Sequence, residues 1–325
     1  MPNPCTAIDE EHPNAPSFLA ALLRFESDVV DSPWERPWLY RGQQKQSWCL
    51  TPAAWRLDGS SKSDHIHRNT SRYYGIADDI GTYVRTNRPE LNIHNVCQAW
   101  AAAQAEFELV REFVLLADHV GHSVPGRESY AHELPIVSNA WKQELDRTPS
   151  PNFYPTPGAT IAVAQHYGVP TRLLDWTRNP LFAALFAAYD VPRSTSEESI
   201  AVWVLDKRSL TGPNIPEAMK FSEVKLWRSD NLFLRTQDAT LIYAPKACAF
   251  YGQHGTWPSL ETMVSLACQT SKQPLLYKLK LPASQVGDLL RLLYMKGVTL
   301  AHMMPSLNTV ASALATKWRW QFIEH

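Results

Sequence analysis

The segment Asn179-Pro180-Leu181-Phe182-Ala183-Ala184-Leu185-Phe186-Ala187 constrains this chain more than any other. Asn179 is an N-cap residue type and Pro180 suits the first helical position, so a helix opens here and runs over Leu181 to Tyr189. It is apolar on every side. A helix without a polar face must be covered all round, which makes it central. The run Ile200 to Leu205 that follows reads as a strand. With 45% hydrophobic and 19% charged residues, the chain has material for such a core.

Other elements follow from periodicity and punctuation. Ser17 to Val30 has helical spacing. Trp38 to Gly42 reads as a short strand ending in a glycine turn, and Leu57 to Asp64 as a loop. Residues 100–120 carry one apolar stripe (Phe107, Val110, Phe113, Val114, Ala117, Val120), with Glu106, Glu108, Arg111 and Glu112 mostly outside it. Pro149, Pro151, Pro155 and Pro157 mark a linker or a long ordered loop. Ala159 to Tyr167 is helical, stopped by Gly168. Arg172 to Trp176, Thr240 to Ala244, Leu275 to Leu281 and Val298 to Met303 read as strands. Ser284 to Lys296 and Ser306 to Trp318 read as helices. Mixed elements without regular βαβ alternation predict an α+β fold, helix-rich in its first half, with a mixed, mainly antiparallel sheet.

Two segments place polar residues inside apolar surroundings. In Tyr40-Arg41-Gly42-Gln43, an arginine at a strand end beside glycine is a fork for phosphate or carboxylate, or one half of a structural ion pair. In Gln165-His166-Tyr167-Gly168-Val169-Pro170-Thr171-Arg172-Leu173-Leu174-Asp175-Trp176-Thr177, five polar residue types share 13 positions. Burying them is costly unless they satisfy one another or a ligand. Spacing favours Arg172 as the partner of Asp175, locking the turn. A His166–Asp175 base with Thr171 or Cys248 as nucleophile is the alternative chemistry.

These segments, with the Asn179–Ala187 helix, resemble the FRG domain, named for a Phe-Arg-Gly motif in which Tyr40 here replaces Phe. Tyr251 to Trp257, Lys296 to Thr299 and Met304 to Asn308 resemble its later motifs, so the likeness runs from Trp34 to Leu314. It implies a single FRG-type domain over residues 34–325 behind a helical leader over residues 1–33. The family is largely bacterial and phage-associated, and some members are toxin-like or defence-linked. A remoter similarity is to arginine-class mono-ADP-ribosyltransferases: an Arg on a first strand, a Ser/Thr strand leading into an apolar helix, and a Glu or Gln on a later strand.

That similarity implies NAD as substrate, with Arg41, Thr177 and Gln253 catalytic and Glu261 the alternative third residue. Arg41 would hold the pyrophosphate, and the acceptor side chain would orient the ribose as an oxocarbenium ion develops. Tyr40, Gly42, Gln43, His166, Arg172, Asp175 and Trp176 would complete the NAD site. Arg41, Asp175, Thr177 and Gln253 should then share one cleft. The implied function is an ADP-ribosyltransferase-like toxin or defence effector acting on a protein or nucleic acid. The alternative is a non-catalytic module that binds a nucleotide or protein partner.

A net charge of −1 offers no electrostatic basis for non-specific nucleic-acid binding. His65-x-His67 and His119-x-x-His122 lack further ligands, so no metal site is expected. No nucleophile elbow or phosphate-binding Walker loop occurs. Five cysteines without a CxxC pair, and no basic-then-apolar start, point to the reducing cytoplasm and to no membrane association.

Overall fold

The computed structural model describes residues 7–27, 37–56, 61–130, 140–148, 151–189, 191, 198–210, 220–227, 235–268 and 275–321. Among them run strands β1 (Ile8–Glu11), β2 (Trp38–Gln43), β3 (Leu174–Thr177), β4 (Ile200–Asp206), β5 (Ser222–Glu223), β6 (Ala239–Tyr243) and β7 (Leu276–Leu281). The helices are α1 (Ala15–Leu23), α2 (Ser61–Tyr74), α3 (Asp78–Asn87), α4 (Ile93–His119), α5 (Ala140–Arg147), α6 (Ala159–His166) and α7 (Pro180–Ala188). Then come α8 (Ala247–His254), α9 (Leu260–Cys268), α10 (Val286–Met295), α11 (Leu300–Met303) and α12 (Leu307–Gln321).

The strands form one sheet in the order β1-β7-β4-β2-β3-β6-β5. Only β1 and β7 run parallel; the other pairs are antiparallel. The fold is α+β with a mixed, mainly antiparallel sheet. β4 is buried along its whole length, as a continuous apolar run in a central strand should be.

Helix α7 lies where its composition demands. The Asn179 side chain accepts hydrogen bonds from the Leu181 and Phe182 amides. Ala183, Ala184, Ala187 and Ala188 are buried against Tyr40, Val202 and Val204 of the sheet, beside Phe18 and Leu22 of α1. Gly42 explains how close α7 comes. It sits inside β2, opposite Val202, not at a terminal turn. A Cβ there would lie 2.1 Å from Ala183 O and 2.6 Å from Ala187 N. Its missing side chain admits a helix backbone, not a ligand.

The opposite face carries Leu39, Trp176, Trp203 and Leu205, packed against α8 and α9. Beyond it, α4 packs along α2 and α8. The proline-rich segment is an ordered wall: Tyr154 is buried among Phe107, Tyr130 and Ile161. Pro149 lies outside the described residues. The N-terminal leader is woven into the fold, since β1 extends the sheet beside β7.

Several local expectations change. Ser61 to Asp64, read as loop, open α2; residues 57–60 lie outside the described residues. The helix expected to reach Val30 is described only to Ser27. The strand expected at Val298 to Met303 is an extended Thr299 followed by one helical turn, α11. Thr299 Oγ1 and His302 Nδ1, 2.9 Å apart, close that turn. Glu106, placed outside the α4 stripe, is buried, because α4 is covered on most sides from Val96 to Phe107.

Candidate functional site

Strands β2 and β3 pair at one position only, Tyr40 opposite Thr177. Beyond it they part, and a cleft of about 440 Å³ opens at the divergence. Extending the register would put Gly42 opposite Asp175. The Arg41 side chain instead bridges the strands: its Nη1 donates to the Asp175 carbonyl oxygen at 2.6 Å. A side chain thus stands where a ladder bond would be.

Arg41 is mostly buried, with its side chain 15% exposed, while that of Asp175 is 60% exposed and its Oδ2 lies 3.7 Å from Arg41 Nη1. Arg41 Nε is buried and has no partner among the described residues. Burial works against the Arg41 charge, the Asp175 carboxylate supports it, and nearby Arg56 opposes it again. The balance leaves Arg41 somewhat less firmly protonated than a free arginine. It is a desolvated cation whose nearest acid faces solvent, a setting in which an incoming anion gains most.

Asp175 is held from its other side. Its Oδ1 accepts from Gln165 Nε2 at 2.6 Å. Gln165 Oε1 accepts in turn from Thr171 Oγ1. Gln165 and His166 lie at the end of α6, which stops at Gly168 with φ +86°. The Gly168 amide returns to Gln165 O and that of Val169 to Ala164 O, a C-terminal cap that aims this turn at the cleft. Burial lowers the His166 pKa, partly offset by Asp175.

The other expected residues divide. Tyr40, Arg41, Gly42, Gln43, His166, Asp175, Trp176 and Thr177 all line the cleft, with Trp48 and Phe186. Several have committed polar atoms. Thr177 Oγ1 donates to Gln237 O at 2.7 Å and accepts from Asn179 N at 3.0 Å, so it joins β3 to the start of α7. Gln43 accepts from Trp203 Nε1 at 2.8 Å and donates to Cys49 O. The Tyr40 hydroxyl donates to Glu26. Trp176 Nε1 is buried and has no partner among the described residues.

Three expectations fail geometrically. Gln253 lies on α8 with an exposed side chain, and it does not line the cleft. Glu261 does not line it either. Its Oε1 accepts from the Leu50 amide at 2.5 Å, though its charge reaches Arg41. Arg172 does not pair with Asp175. It pairs with Glu106 at 2.8 Å, and each side chain is 2% exposed. The nucleophiles weighed for a His166–Asp175 base are spoken for: Thr171 donates to Gln165, and burial raises the Cys248 thiol pKa.

The Arg172 cluster is what sequence reasoning missed. Glu106 Oε1 accepts from Trp55 Nε1 at 2.9 Å. The Arg172 guanidinium lies 3.6 Å from the Tyr154 ring centre, and Trp257 stacks on Trp55 at 4.8 Å. Burial disfavours the Arg172 charge, but Glu106, with Cys248 and Tyr154 behind it, more than offsets this and holds Arg172 firmly protonated. The available signal was a glutamate directly after the alanine-rich stretch Ala101 to Ala105, whose small side chains let neighbouring elements approach closely.

Among the described residues, no group of three or more His, Cys, Asp or Glu is placed to hold a metal ion. Cys49, Cys97 and Cys248 are free thiols. No helix among the described residues is long and apolar enough to cross a membrane.

Comparison with known proteins agrees with the motifs in one respect. No curated protein matches the chain, and no solved structure does. The family model of the FRG domain matches residues 36–196. That span holds Arg41, Glu106, Arg172, Asp175 and Thr177, hence both arginines and their acids, but not Gln253. Strands β4 to β7 come from beyond it and complete the sheet. The Arg41 strand, the Gln165–Thr177 turn and α7 all lie inside this match, so just under half of the chain is similar to the FRG domain.

Proposed function

We propose that the cleft between β2 and β3 binds NAD and that the protein transfers its ADP-ribose group to a macromolecule. One observation carries this reading: Arg41 is a desolvated cation whose nearest acid, Asp175, is turned largely to solvent. A pyrophosphate in the cleft would complete the Arg41 environment. In the transfer, the bond between the nicotinamide nitrogen and ribose C1′ breaks, and its electron pair leaves on nicotinamide. The acceptor nucleophile bonds to C1′ and gives its proton to a base. Asp175 is the carboxylate in the cleft that suits this task, the role Gln253 is too far out of the cleft to share. His166, kept neutral near pH 7 by its burial, and Trp48 would wall the nicotinamide side.

The test is incubation of the protein and a cell lysate with NAD labelled in its adenylate. Label should move to protein or nucleic acid, and expression in cells should slow growth, as befits a toxin or defence effector in the cytoplasm. Arg41→Ala should keep the fold and lose about 2–5 kcal/mol of NAD binding, the range for removing one partner of a buried charge contact. Lysine should rescue poorly, because it cannot make the two-point contact. Saturable NAD binding without transfer would make the domain a nucleotide-recognition module. No binding at all would refute the reading.

A further inference from the structure

A second cavity, of about 540 Å³, lies among the helices and shares no lining residue with the Arg41 cleft. The first turn of α6 helps line it, whereas the last turn of α6 lines the cleft. The two are therefore separated by the length of this helix, about 12 Å at 1.5 Å per residue. Its walls are aromatic: Trp100, Phe107, Tyr130, Trp141, Phe153 and Tyr154. Phe107 and Tyr130 stack at 4.7 Å. Tyr154 already carries the Arg172 guanidinium against its ring, 3.6 Å from the centroid. Aromatic faces offer negative potential, and a cation gains most where water is excluded.

The polar groups in this wall add acceptors and one negative charge. Gln104 is 6% exposed, and its Oε1 has no partner among the described residues. Asn152 Oδ1 is also buried and has no partner among the described residues. A half-turn about the last torsion of Gln104 brings its carbonyl oxygen to the position of its NH2 group, so the amide can answer a donor in the cavity. Glu144 lines the cavity too; its Oε1 accepts from the Asn152 amide at 2.8 Å. No lysine or arginine is among the described residues that line it. Buried acceptors without partners are costly, and a donor-bearing guest would remove that cost.

We propose that this cavity is a second ligand site, selective for a small organic cation that carries N–H donors, such as an amine, amidine or guanidine. The rings would hold the cation by its charge, Glu144 would neutralise it, and Gln104 and Asn152 would accept its N–H groups. This site is distinct from the proposed NAD cleft and does not depend on it.

Benzamidinium is a suitable probe, with neutral benzamide and anionic benzoate as controls of nearly the same shape. Titrations on the full chain would follow the indole N–H resonances of Trp100 and Trp141, with Trp48 in the Arg41 cleft as reference. Benzamidinium should shift Trp100 and Trp141 saturably and leave Trp48 in place, benzamide should bind more weakly, and benzoate should do nothing. Glu144→Gln keeps an acceptor for the Asn152 amide and should weaken benzamidinium about tenfold. Gln104→Leu should weaken it as well. If that core substitution fails to fold, the half-buried Glu144 variant carries the test alone. Equal binding of benzoate, unchanged affinity in Glu144→Gln, or no shift at Trp100 and Trp141 would each overturn the proposal.

Discussion

Arg172 is buried and Arg41 mostly so, each beside an acid, yet they sit in opposite situations. Arg172 is sealed. Its acid, Glu106, is as buried as it is, a tyrosine ring covers it, and Trp55 occupies the second carboxylate oxygen. Arg41 lies at the bottom of an open cleft, and its acid is mostly exposed at 3.7 Å. A sealed pair contributes to the fold because either partner alone would be a buried charge. An open pair contributes little to the fold and leaves the cation available. The pattern assigns architecture to Arg172 and ligand contact to Arg41, although both come from polar motifs that looked alike in the sequence.

Breaking the sealed pair tests this division most strongly. Glu106→Gln keeps the size and an acceptor for Trp55, and leaves the Arg172 charge unpaired. Chemical denaturation should show a loss of about 3–5 kcal/mol. A loss below about 1 kcal/mol, the range of exposed pairs, would erase the contrast between the two sites.

The strand that presents Arg41 depends on close packing behind it. Gly42→Ala would drive a methyl group into the α7 backbone at Ala183 and Ala187. Backbone cannot step aside as a flexible side chain can, so stability should fall by about 1–3 kcal/mol, the usual cost of overpacking. Affinity at the cleft should fall with it. A melting temperature equal to that of the unaltered protein would mean that α7 is not held against β2 as tightly as the geometry requires.

Asp175→Asn separates the two pairs directly. On local spacing this residue would be the partner of Arg172, and its loss would unfold the protein. With Asp175 exposed and Arg172 already paired to Glu106, the stability change should stay within about 0–1 kcal/mol. Label transfer from NAD should be lost. A large drop in stability would return Asp175 to an architectural role.

The smallest effect is in pH. Burial holds the His166 pKa below the ordinary imidazole value. The unfolded chain therefore binds a proton there that the folded one does not. This stability contribution is present above the unfolded pKa and is lost as pH falls from that value through the folded pKa. His166→Gln should flatten that part of the stability profile. Asp175→Asn removes a charge that supports the protonated ring, so it should move the acid end of the loss to lower pH.

Much of the frame was legible from local pattern. The N-cap and proline before Leu181, the apolar run at Ile200 and the glycine after His166 each act over one or two turns of chain, and each appears where expected. Local pattern failed where a segment's fate depended on its neighbours. Val298 to Met303 had strand composition, yet Val298, Leu300 and Met303 join the core cluster around α7, and Leu300 to Met303 become a helical turn. Gln253 was expected as the third catalytic residue, yet it lies at the end of a helix packed on α4.

By itself, the sequence determined the α+β class, the central apolar helix and the presence of two polar motifs that the core had to accommodate, because periodicity and capping are properties of neighbouring residues. Only the tertiary structure decided the partners. Arg172 found an acid 66 residues away, and Asp175 gained an arginine 134 residues away, although the two lie three apart in the chain. Arg172 lies in a bend just before β3 and turns into the core, while Asp175 lies within β3 and is exposed. Coulomb energy and desolvation follow distance in space, so the packing of α4 and the parting of β2 from β3 decided which arginine was sealed and which stayed open.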